Sequence, residues 1–166
     1  MNEKIAIVGA GLIGRAWAIV FARAGCTVRV YDADAPALAQ CQRLLLENIG
    51  DLAGHGLITE APATVLARIT PVATLAEALE GAALVQENVR ETLEVKRAIF
   101  AEMDALAGPD TVLASSTSWL MASEFSEGLP GRHRIMVGHP VNPPYLIPLV
   151  EIAPAPSLAP EIRQGL

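Results

Sequence analysis

His139 closes the apolar run Ile135-Met136-Val137-Gly138 and is followed by Pro140. A residue just past the carboxyl end of a strand in a parallel sheet faces the ligand crevice. Twelve residues further on, Glu151 sits within Leu149-Val150-Glu151-Ile152. A carboxylate in an apolar strand is costly unless paired, and an imidazole is a natural partner. A buried Glu–His pair orients the ring and fixes its tautomer, as a general base requires. Spacing alone leaves a purely structural ion pair as an equal alternative. The other two histidines read as exposed: His55 lies between glycines and His133 between arginines.

Two further stretches could do chemistry. Ser115-Ser116-Thr117-Ser118 places four hydroxyls beyond the predicted strand Thr111–Ser115. They could donate to a ligand, or cap the next helix. Gly9-Ala10-Gly11-Leu12-Ile13-Gly14 matches GxGxxG, between a strand and a helix as that motif requires. Gly9 permits the tight turn, Gly11 lets the backbone approach a pyrophosphate, and Gly14 allows close packing of helix on strand. The helix start then offers free N–H groups and its positive end to phosphates.

Asp32 ends the second predicted strand, 18 residues after Gly14. Its carboxylate can accept hydrogen bonds from both hydroxyls of the adenosine ribose and would repel a 2′-phosphate. Ala33, Asp34 and Ala35 bring no arginine to neutralise one. These residues predict NAD rather than NADP. FAD, which uses the same glycine loop, is the competing cofactor.

The elements that must position these groups alternate. Strands are predicted at 4–8, 27–31, 69–72, 83–88, 111–115, 134–138 and 149–152. Helices are predicted at 12–24, from an Asp34 cap to about Leu52, from a Thr59 cap to Arg68, at 74–79, 92–106 and 122–126, and from near Pro160. Strand–helix alternation implies parallel pairing with right-handed crossovers, and the apolar strands imply burial on both faces. The fold class is α/β, a doubly wound parallel sheet of the Rossmann type, in one dinucleotide-binding domain over 1–166.

Composition fits that fold: 52% of residues are apolar and 18% charged. The net charge of −6, with dispersed Lys and Arg, argues against nucleic acid and against an anionic membrane surface. The apolar run 5–8 is too short for a signal peptide or a membrane span, so the expected compartment is the cytoplasm. Cys26 and Cys41 form no metal or redox motif and read as reduced thiols, and no metal ligand cluster is visible.

With these residues assembled, the sequence resembles the 3-hydroxyacyl-CoA dehydrogenase family from Lys4 to about Pro156. Four ordered motifs carry the resemblance. They are the glycine loop, Glu91 with Lys96 in Val89-Arg90-Glu91-Thr92-Leu93-Glu94-Val95-Lys96, the Ser/Thr stretch, and His139-Pro140-Val141-Asn142-Pro143 leading to Glu151. The resemblance implies hydride transfer between nicotinamide and the carbinol carbon of a small-molecule 3-hydroxy acid or its thioester. It implies that His139 takes the hydroxyl proton, Glu151 supports it, and Ser118 contacts the substrate oxygen. It also implies Asn142 beside the nicotinamide, with Glu91 and Lys96 on the cofactor side.

The run from His139 to Glu151 is similar to the lambda-crystallin branch of that family, which acts on L-gulonate. Acyl-CoA enzymes of the family more often carry aromatic residues directly after the histidine, and place lysines on the helical excursion near the CoA phosphates. Residues 41–68 here hold only Arg43 and Arg68 as full cations. The rivals are a short-chain 3-hydroxyacyl-CoA dehydrogenase, a carnitine dehydrogenase and, from another class, a catalytically silent nucleotide-binding or crystallin-like protein. The family also carries a second, helical domain that supplies homodimer contacts and a substrate-binding asparagine. A chain stopping at Leu166 is expected to lack it, along with the final strands of the first domain, and so to bind NAD but catalyse poorly.

Overall fold

The computed structural model describes residues 3–164; readings placed on Met1, Asn2, Gly165 and Leu166 lie outside the described residues. The strands are Lys4–Val8 (β1), Thr27–Tyr31 (β2), Ile69–Pro71 (β3), Leu84–Glu87 (β4), Val112–Ser115 (β5), Ile135–Pro140 (β6) and Val150–Pro154 (β7). The helices are Leu12–Arg23 (α1), Ala35–Gly54 (α2), Pro62–Leu66 (α3), Leu75–Leu79 (α4), Leu93–Leu106 (α5), Ala122–Phe125 (α6) and Pro160–Gln164 (α7). One sheet runs in the order β3-β2-β1-β4-β5-β6-β7. All neighbours are parallel except β6 and β7, which form an antiparallel ribbon at one margin. The strand order reverses beside β1, where the chain crosses from one half of the sheet to the other. That is where a doubly wound fold opens its crevice.

The central strands are buried on both faces, as their apolar composition predicts. Ile5 and Ile7 of β1 point to a core shared with Trp17 and Ile19 of α1 and Cys41, Leu45 and Ile49 of α2. Ala6 and Val8 point the other way, to a core with Leu75 and Leu79 of α4, Phe100 and Met103 of α5 and Phe125 of α6. In the second core the Phe100 and Phe125 rings lie 4.5 Å apart. Such a tilted pair adds roughly 0.5–1.5 kcal/mol beyond its buried area.

Two expectations need correction. Thr59 does not cap α3: the cap is Ala61, and Pro62 opens the helix with its φ already set. Burial on both faces fails for β7, every residue of which is exposed. A sheet's marginal strand has a neighbour on one side only, and no described helix covers this one.

Gly9 and Gly14 make the β1–α1 turn possible. Gly9 has φ +100°, and a Cβ there would come within 2.9 Å of the Asn88 backbone. A Cβ on Gly14 would run into the Gly9 carbonyl oxygen. Gly14→Ala is therefore expected to force the helix off the strand and cost about 1–3 kcal/mol, the scale of core overpacking. Urea denaturation checks this; an unchanged midpoint would show that the turn has slack.

Candidate active site

The predicted site residues gather at one edge of the sheet, because parallel strands deliver all their carboxyl ends to the same side. The glycine loop follows β1, Asp32 follows β2, Glu91 follows β4, Ser118 follows β5, and His139 lies at the end of β6.

The loop has the features of a phosphate cradle. Gly11 caps α1 and has no heavy atom within 4 Å of the position a Cβ would take, so the space above it is open. The first turn of α1 carries no acid. Leu12 is exposed beside this opening, while Ala10 is buried, Ile13 half-buried and Gly14 buried beneath it. Asp32 is held by its own backbone surroundings: Ala10 N–H donates to Oδ2 at 2.6 Å and Asp34 N–H to Oδ1 at 2.8 Å. A cleft of about 540 Å³ beside Asp32 is lined by Tyr31, Ala35, Leu38, Thr70 and Pro71, among others. These residues fit a dinucleotide with an unphosphorylated ribose. One sequence inference was incomplete. The residues after Asp32 contain no arginine, yet Arg15 of α1 reaches back to the same loop and donates to the Ala10 carbonyl at 2.8 Å.

His139 and Glu151 meet as a direct cross-strand pair of the β6–β7 ribbon. Facing residues of an antiparallel pair lie close enough for their side chains to touch. The chain turns back through 141–149, where Val141 N–H donates to Leu149 O, so a spacing of twelve becomes a contact. Nδ1 of His139 lies 2.8 Å from Glu151 Oε2. The pair is not buried, contrary to expectation: the side chains are 30% and 70% exposed. Among the described residues nothing engages Nε2, so that nitrogen is open to the cleft. The cleft, about 460 Å³, is lined by His139 and Glu151 with Ser118, Trp119, Met121 and Ala153, among others.

The four hydroxyls divide their work. Ser115 Oγ donates to Glu87 and Thr117 Oγ1 to Glu91. Ser116 Oγ accepts from Trp17 Nε1 at 3.0 Å and from Gln86 Nε2 at 2.7 Å, and donates to Asn88 at 2.7 Å. Ser118 alone is exposed to the cleft. None of them caps α6, which begins at Ala122. One oxygen of Glu91 collects Thr117 Oγ1 at 2.7 Å, Ser118 N–H at 2.5 Å and Ser118 Oγ at 2.9 Å. Partial burial works against the Glu91 charge, but these hydrogen bonds and the nearby Lys96 ammonium prevail and hold its carboxyl below the usual range.

Lys96 is placed differently from a lysine that reaches out to a ligand. It is 1% exposed, and its ammonium meets both oxygens of Glu87 at 2.7 and 2.8 Å and the Val89 carbonyl at 3.3 Å. Glu87, Gln86 and Trp17 are the residues that sequence reasoning passed over. The available signal was a Gln-Glu pair ending the apolar strand β4, where two polar side chains must each find partners. Gln86 Nε2 also donates to the Gly138 carbonyl at 3.0 Å, next to His139. Asn142 sits exposed on the 141–149 loop, outside the lining of the His139 cleft.

His55 and His133 are exposed as expected. Both cysteines are free, and burial pushes the Cys41 thiol up to about 11. Among the described residues no helix is long and apolar enough to cross a membrane, and no group of three metal-ligating side chains occurs.

Removing one partner of a buried ion pair strands the other charge and costs about 3–5 kcal/mol. Lys96→Met is expected to destabilise the fold on that scale. The double variant Glu87→Gln/Lys96→Met, which removes both charges, should recover a large part of the loss. Urea denaturation of both variants measures this, and a single-variant loss below about 1 kcal/mol would contradict it.

The family model for the NAD-binding domain of 3-hydroxyacyl-CoA dehydrogenase matches residues 4–165. The human lambda-crystallin homolog is 41% identical over 162 residues, covering 94% of this chain and 50% of that protein. The L-carnitine dehydrogenase/betainyl-CoA thioesterase of Rhizobium meliloti (strain 1021) is 38% identical over 159 residues, covering 95% of this chain and 31% of its own length. The crystal structure of Escherichia coli 3-hydroxybutyryl-CoA dehydrogenase superposes with a TM-score of 0.90 at 29% identity, over 99% of this chain and 34% of that one. The chain thus spans half or less of these relatives. It belongs to the 3-hydroxyacyl-CoA dehydrogenase family and corresponds to the domain that binds NAD.

Proposed function

We propose that this chain carries the NAD-side half of an oxidoreductase that interconverts a 3-hydroxy acid of the L-gulonate type and its 3-keto form, with His139 as general base. The observation that carries the proposal is the 2.8 Å contact of His139 Nδ1 with Glu151, beside Ser118 in one open cleft. With Nδ1 occupied by the carboxylate, the other ring nitrogen is the one left to take a proton.

The glycine-loop N–H groups at 11–14 hold the dinucleotide's phosphates, Asp32 its adenosine ribose, and Glu91 and Asn142 its nicotinamide half. Lys96 acts indirectly, by fixing Glu87 at the end of β4 and the Val89 carbonyl on the loop that carries Glu91. NAD, when bound, supplies the acceptor for the hydride that leaves the carbinol carbon. His139 Nε2 removes the hydroxyl proton as the carbonyl forms, and Glu151 stabilises the imidazolium that results. Ser118 rotates its hydroxyl from Glu91 to the substrate oxygen. Glu91 keeps the Ser118 N–H and the Thr117 hydroxyl meanwhile, so the rotation leaves no carboxylate bare.

Charge favours a small acid over an acyl-CoA. The two full cations of 41–68 are already paired within the chain, Arg43 with Glu47 at 2.6 Å and Arg68 with Glu60 at 2.5 Å. A CoA polyphosphate would have to compete with those carboxylates. Homodimer assembly through a helical second domain, and a cytoplasmic setting, belong to the same proposal.

NAD reduction by the full-length protein, measured side by side with L-gulonate, L-carnitine and 3-hydroxybutyryl-CoA, tests the substrate. The expected order puts L-gulonate first; preference for the thioester would overturn the charge reasoning, and NADH binding without any turnover would favour a silent binding protein. In the full-length enzyme that carries this domain, His139→Gln should lower kcat about 100-fold or more with NADH affinity retained, the scale of losing a general base. Undiminished turnover in that variant would remove His139 from the mechanism.

A further inference from the structure

Arg15 is a cation that the glycine fingerprint does not account for. It follows Gly14 near the start of α1, where the positive end of the helix dipole disfavours a positive side chain. Its Nη1 donates to the Ala10 carbonyl at 2.8 Å, while Ala10 N–H donates to Asp32 at 2.6 Å. One loop residue is thus held at its carbonyl by a guanidinium and at its N–H by a carboxylate. The Arg15 Nε is buried without any hydrogen-bond partner, and a buried donor in that condition requires an explanation.

Arg29, Arg97 and Arg134 have ion-pair partners in Glu80, Glu127 and Asp104, whereas Arg15, like Arg23, is held by backbone carbonyl oxygens. Among the described residues no carboxylate lies within ion-pair distance of Arg15. A cation set against a helix dipole, tethered to a phosphate-type loop and lacking an internal counter-ion, has the arrangement of a side chain whose anion arrives with the ligand. The protein's net charge of −6 makes such a local cation useful, because a dianionic diphosphate otherwise approaches an unfavourable field.

We propose that Arg15 is a cofactor-binding residue whose guanidinium, tethered to the Ala10 carbonyl, engages the diphosphate of the dinucleotide beside the start of α1. The inference rests on the NAD reading of the loop, and the two fail differently. A chain that binds no NADH defeats that reading, whereas undisturbed binding by an Arg15 variant defeats this inference alone.

The experiment titrates NADH, ADP and adenosine into the chain and into Arg15→Gln and Arg15→Lys. Glutamine keeps much of the stem and a donor for the Ala10 carbonyl but discards the charge. Arg15→Gln should weaken NADH and ADP about tenfold, the worth of one charge-assisted hydrogen bond. It should leave adenosine unchanged and flatten the dependence of affinity on salt. Arg15→Lys should retain most of the affinity and the full salt dependence. Parental NADH affinity in Arg15→Gln, or an equal loss for adenosine and ADP, would assign Arg15 to the loop clamp alone and overturn the proposal. A second measurement needs no variant: the Arg15 Nε–H resonance of the unmutated chain should shift with ADP and stay still with adenosine. An unmoved resonance under saturating ADP would overturn the proposal as well.

Discussion

At the end of β4 a carboxylate lies with no access to water. Glu87 is 0% exposed and receives the Val89 N–H at 2.6 Å, the Lys96 ammonium at 2.7 and 2.8 Å and the Ser115 hydroxyl at 2.6 Å. A buried charge persists only if every one of these donors stays in place. The three partners come from the loop after β4, from α5 and from the end of β5. One buried group therefore fixes where those segments begin, and the exposed residues that follow them inherit the placement. Glu91 lies beyond Val89, and Ser118 lies beyond Ser115. Their mutual hydrogen bonds close the second ring of the same scaffold.

Strand geometry gives the opposite face its own brace. Successive side chains alternate, so Gln86 points away from Glu87, toward α1. Its amide joins the Ser116 hydroxyl to the Gly138 carbonyl, and the Trp17 indole donates to the same hydroxyl. The dinucleotide helix, the hydroxyl segment and the histidine strand thus share one polar knot. Two adjacent residues of one strand secure the crevice from both faces of the sheet.

Much of this was legible in the sequence. Period, glycine and proline punctuation and β-branched runs gave the strands and helices, because their burial depends on local pattern. The His139–Glu151 contact was also legible, since a polar residue in each of two apolar runs needs a partner. Its exposure was not: whether a strand is marginal depends on sheet order, which no local window encodes. Lys96 drew attention by its motif, yet its burial depended on Glu87, nine residues earlier and one strand away. Arg15 is invisible to a reading confined to the residues beside Asp32, because it is the β1–α1 turn that brings it back to the loop in space.

The imidazole and its carboxylate ride on the antiparallel ribbon at the sheet's margin, and the phosphate cradle sits at its buried centre. Marginal ribbons open at lower free energy than central strands. The nucleotide capture and the proposed proton transfer therefore rest on parts of one sheet with unequal resistance to fraying. In this chain by itself, mild heat or denaturant would part the acid from the ring before the cradle lost its shape.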